Sequence, residues 1–112
     1  MIDKDAICDI IATYQKHGWI LRRILLSGEL KKSLGAQLNE LFVGVSIVES
    51  KIDAVWFSRP PKKGGVAWEI RYLGETPFAL LEKMDEDHPT FENSLKNVES
   101  LLCETVAARE AA

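Results

Sequence analysis

His17 and His88 are the only imidazoles in the chain, and imidazole is the side chain that titrates near neutral pH. One ends a helical pattern and the other opens one, so each is read as structural or exposed. Cys8 and Cys103 lie among apolar residues in separate helical patterns, with no C-x-x-C between them. They are read as two buried, reduced thiols, and a disulfide between the terminal helices has no spacing to support it. A metal site wants three or four ligands at supporting spacings, such as paired histidines four apart. Neither a metal nor a cofactor is therefore expected. No serine sits in a nucleophile elbow. Glu69 and Glu82 fall on neighbouring strand patterns, and two facing carboxylates could do acid–base work. Asp85-Glu86-Asp87 lacks the spacing and central glycine of a calcium loop and reads as a solvated acidic turn.

Two arrangements could bind rather than react. Trp56, Ser58, Glu69 and Arg71 share one face of a hairpin if its two apolar sides are paired. There an indole has apolar area to bury and an N–H to satisfy. Such a face suits a second copy of the chain or a shallow ligand platform. The competing reading is that a helix or loop simply covers Trp56. Arg59, Lys62 and Lys63 flank Gly64-Gly65 at the hairpin tip, where free amides and cations could hold an anion. A solvated turn explains the same residues, and no Gly-Lys-Ser/Thr opens a helix behind them. Arg22 and Arg23 sit inside an apolar strand and must find partners or water. Glu69 and Glu82 are the candidate partners.

The elements that would position these residues follow from periodicity. Residues 3–17 form an amphipathic helix with Ile7, Ile10, Ile11 and Tyr14 on one stripe, Asp3 as N-cap and Gly18 at the left-handed C-terminal position. Trp19 to Ser27 reads as a strand apolar on both sides. Residues 29–42 read as a helix that Gly35 weakens or breaks, and 43–49 as an edge strand. Ile52–Arg59 and Val66–Leu73 are the arms of a hairpin around Pro60-Pro61-Lys62-Lys63-Gly64-Gly65. Pairing Phe57 with Trp68 and Val55 with Ile70 gathers the apolar residues on one side. For residues 78–84, Thr76-Pro77 favours a helix start, whereas economy after two paired strands favours a third strand, the preferred reading. Residues 89–109 form the longest helix, with a stripe of Phe91, Leu95, Val98, Leu101, Leu102 and Val106.

The expected architecture is a single α+β domain over residues 1–112, with an antiparallel sheet of three to five strands and the N- and C-terminal helices packed on one face. Its 46% hydrophobic and 28% charged residues are ordinary for a globular chain. The net charge of −3 disfavours nucleic acid as a partner. No basic leader precedes an apolar run and no stretch has the length of a membrane span, so a cytoplasmic location and no membrane partner are expected. With no catalytic constellation, the expected function is a noncatalytic interaction or adaptor domain, self-associating as a homodimer or binding a protein partner. The alternative is a small-molecule-binding domain using the outer hairpin face; a small enzyme ranks third.

Overall fold

The computed structural model describes residues 2–60, 66–74 and 78–111. Helix α1 (Lys4–Lys16) begins where the Asp3 carboxylate accepts from the Ala6 amide at 2.8 Å. It ends at His17, with Gly18 at φ +87° turning the chain into β1 (Ile20–Leu26), as the cap and glycine signals require. Two short helices follow, α2 (Gly28–Leu34) and α3 (Gln37–Leu41). Gly35 stands between them at φ +52°, ψ −129°, a backbone state open mainly to glycine, and this breaks the single helix expected over 29–42. Strands β2 (Ser46–Glu49), β3 (Ala54–Arg59), β4 (Val66–Tyr72) and β5 (Ala79–Met84) precede α4 (Phe91–Ala111). Residues 79–84 are thus a strand, the preferred of the two readings.

The five strands form one sheet in the order β2-β1-β3-β4-β5. The α+β class and the largely antiparallel sheet agree with expectation. The exception is β2, which lies parallel to β1 after the α2–α3 crossover. The terminal helices do not share a face, which corrects the expectation. α1, α2 and α3 pack on one side, against Ile24, Leu26, Val55, Phe57 and Leu73. α4 packs on the other, through Leu95, Leu102 and Val106 against Leu25, Ala54, Trp56, Trp68 and Ile70. A sheet whose central strands are apolar on both sides needs cover on both. Ala54 to Ser58 of β3 are all buried. Leu101, expected in the α4 stripe, is 51% exposed. Cys8 and Cys103 are free and sit on helices on opposite sides of the sheet. No helix among the described residues is long and apolar enough to cross a membrane.

The hairpin register differs by one residue from the sequence reading. Trp56 pairs with Ile70, Phe57 with Glu69 and Ser58 with Trp68. A one-residue slip sends every side chain of a strand to the other face. Trp56, Ser58, Trp68 and Ile70 therefore face α4, while Val55, Phe57, Glu69 and Arg71 face the α1 side.

Candidate functional site

Trp56 and Ser58 lie under α4, and Glu69 and Arg71 lie on the opposite side of the sheet, so the four residues do not form one platform. Trp56 is fully buried, and its Nε1 donates to Glu99 Oε2 at 2.8 Å. Ser58 is 2% exposed, and its hydroxyl accepts from Arg22 Nη1 at 3.1 Å. Glu69 accepts from the Tyr14 hydroxyl, and Arg71 Nη1 donates to the Tyr72 carbonyl. Glu69 and Glu82 cannot work as a pair. Their strand partners are Leu81 and Trp68 respectively, which puts them on different faces. His17 caps α1 in solvent, and the exposed His88 is tied to Thr90 in the turn before α4. No group of three His, Cys, Asp or Glu that could hold a metal occurs among the described residues. Arg59 is exposed and stacks over Trp19 at 4.6 Å. Its expected partners in an anion loop, Lys62 and Lys63, lie outside the described residues.

No family model, no curated protein and no solved structure matches this chain. The candidate sites are therefore those the geometry itself assembles.

The most elaborate is built on β1. The register with β3 shifts between Leu21, opposite Phe57, and Arg23, opposite Trp56, leaving Arg22 as an extra residue in a β-bulge. The bulge turns Arg22 and Arg23 to the same side of the sheet, the side that α4 covers, instead of opposite faces. Arg22 stacks over the Trp68 ring at 4.8 Å and pairs with Glu86 at 2.6 Å. Arg23 pairs with Glu92 at 3.1 Å and approaches Glu99 at 3.7 Å. Two donors in this cluster, Arg23 Nε and Trp68 Nε1, are buried with no hydrogen-bond acceptor among the described residues. The expectation that these arginines pair with Glu69 or Glu82 is corrected to Glu86, Glu92 and Glu99. The acidic turn expected to be merely solvated thus supplies one ion-pair partner. A signal for Glu99 does exist in the sequence. It falls between Leu95 and Leu102 on the buried stripe of α4, where a carboxylate needs a buried donor.

On the other face, the Tyr14 ring stacks on Phe57, with centroids 4.1 Å apart and planes within 7°. Burial, and then the hydrogen bond to Glu69, push the Tyr14 phenol above its ordinary range. An open cleft of about 530 Å³ lies where β1 and β2 end, lined by Ser27, Lys51, Asp53, Tyr72 and Val106 among others. Its Asp53 accepts from the Ser27 amide at 2.6 Å and the Ser27 hydroxyl at 3.1 Å. That carboxylate thus anchors the start of α2 to the loop before β3.

The last candidate is the edge strand β5, which has no strand on its outer side among the described residues. The Tyr72 amide donates to the Phe78 carbonyl at 2.8 Å. In an antiparallel ladder every second pair exchanges both bonds, so with Ile70 opposite Leu80 and Trp68 opposite Glu82 the even-numbered residues of β5 turn their backbone groups inward. Ala79, Leu81 and Lys83 turn theirs outward. The side chains of these three residues lie on the α1 side, in a corner where Leu81 is 61% exposed.

Proposed function

We propose that this chain is a noncatalytic interaction domain that self-associates by pairing β5 with β5 of a second copy. Trp56, buried against Glu99, has no part in this surface. One observation carries the reading: the outward backbone groups and the exposed Leu81 side chain belong to the same strand at the same corner. An unpaired edge with an apolar residue on its open face is a template for another strand. The other edge, β2, has only four residues.

Parity selects the alignment. With the two-fold axis at Leu81, the pairs Leu81–Leu81, Ala79–Lys83 and Lys83–Ala79 each exchange two backbone hydrogen bonds. The two Leu81 side chains meet on the open face. Moving the axis to Glu82 would set two like charges opposite one another, which is unfavourable. Moving it to Leu80 would shorten the ladder. The contact is isologous and closes as a dimer, leaving only the short β2 edges outermost.

The test is sedimentation velocity from low micromolar to submillimolar protein. The wild type is expected to pass from monomer to dimer. Leu81→Lys places two cations at the axis and is expected to stay monomeric with an unchanged circular dichroism spectrum, because the side chain is already exposed. A wild type that remains monomeric throughout, or a Leu81→Lys variant that dimerises equally well, would contradict the proposal.

A further inference from the structure

We infer that the β1 bulge is a binding site for a small phosphate-class dianion, held by Arg22 and Arg23 and occupied in the free protein by the carboxylates of Glu86 and Glu92. The inference is independent of strand pairing at β5, on the opposite edge of β4 and the opposite side of the sheet, so either can fail alone.

The bulge brings two guanidiniums to one face at adjacent positions, with the Ser58 hydroxyl beside Arg22 at 3.1 Å. Guanidinium forks match the oxygens of phosphate and carboxylate groups. Arg23 Nε lies 3.7 Å from Glu99 Oε2, too far for a hydrogen bond, and is buried with no acceptor among the described residues; buried donors without acceptors are rare enough in native proteins to need an explanation. An acceptor-rich ligand supplies one.

The present occupants are weakly held. Glu86 and Glu92 have side chains 48% and 66% exposed, and exposed ion pairs add only about 0–1 kcal/mol. Glu99 differs: its side chain is 13% exposed and it accepts from Trp56, so it stays and keeps Arg23 oriented. Charge balance then selects the ligand class. At present two guanidiniums face three carboxylates. Replacing Glu86 and Glu92 by one dianion leaves the charge of the cluster unchanged, whereas a monoanion such as acetate leaves it one unit more positive. Both glutamates can swing away, since one sits in the turn before α4 and the other in its first helical turn.

Arg22 lies over the Trp68 ring, so intrinsic tryptophan fluorescence reads the site directly. Wild-type protein is titrated with inorganic phosphate at constant ionic strength, with acetate as the monoanion comparison. Saturable phosphate binding is expected, stronger than acetate binding and lost in Arg22→Gln. Removing the internal competitors in the double variant Glu86→Gln, Glu92→Gln is expected to tighten phosphate binding by about two- to fivefold. Glu104→Gln, which removes a charge from an exposed position on α4, should leave it unchanged. Absence of saturable phosphate binding in the double variant would overturn the inference. So would tightening by Glu104→Gln to the same extent, or equal affinity for acetate. The double variant keeps all the donor residues, so the test does not depend on Arg22→Gln folding.

Discussion

Tyr14 and Glu99 show what individual polar groups do inside this sheet. The Tyr14 phenol favours its neutral form because it is buried and donates to Glu69. A raised pKa in the folded state means a contribution that is complete below the ordinary value of 10.0 and is lost as pH climbs toward the folded value. Tyr14→Phe should therefore cost about 1 kcal/mol at neutral pH. The gap between wild type and variant should narrow once pH passes about 10. Urea denaturation across that range checks both; a gap independent of pH would contradict the assignment. Glu99 accepts from Trp56 and faces Arg23 from a largely buried position. Removing it leaves the buried Trp56 N–H without its acceptor and Arg23 with only the exposed Glu92, so Glu99→Ala should cost about 3 kcal/mol. Glu92→Ala, which breaks an exposed pair to the same arginine, should cost under about 1 kcal/mol. Equal losses in denaturant midpoint would show that Arg23 depends on Glu92 instead.

At the scale of elements, caps and glycines made much of the order legible. Asp3 and Gly18 bracket α1 where they stand in the text, and the proline-rich connection separates β3 from β4. Gly35 breaks the second helix because its φ and ψ fall where a Cβ is strained. Gly35→Ala should thus cost about 1 kcal/mol or more, despite the higher helix propensity of alanine. Thermal unfolding measures this, and stabilisation by alanine would mean that α2 and α3 can fuse. The hairpin register was not legible, for a definite reason. Ala54 to Ser58 are buried on both sides of the sheet, so alternation cannot say which face is the inner one. The bulge at Arg22 was hidden too, because one extra residue leaves no mark in a strand apolar on both faces. Its trace is the pair of adjacent arginines, which regular alternation would have sent to opposite sides. The position of Glu99 in the α4 stripe is a signal that the sequence carries and that the choice of Glu69 and Glu82 as arginine partners passed over.

Across the whole molecule, two helical layers enclose β1 and β3, and the cover thins toward β5. α4 closes one side of β5 through Phe78, Leu80 and Met84, and Arg109 stacks over Phe78 at 4.7 Å. On the other side α1 reaches Glu69 through Tyr14 but leaves Leu81 in solvent. A one-sided antiparallel strand is stable as it stands, yet it presents a ladder half made. The proposed self-association would complete that ladder and cover the corner without rearranging the core. Amide hydrogen exchange, resolved by residue at low and high protein concentration, tests this most directly. With β5 pairing to β5, the Ala79, Leu81 and Lys83 amides should exchange freely in dilute protein and become protected as concentration rises, while those of Leu80 and Glu82, already bonded to β4, are protected at both. Outward amides that exchange equally fast at every concentration would contradict it.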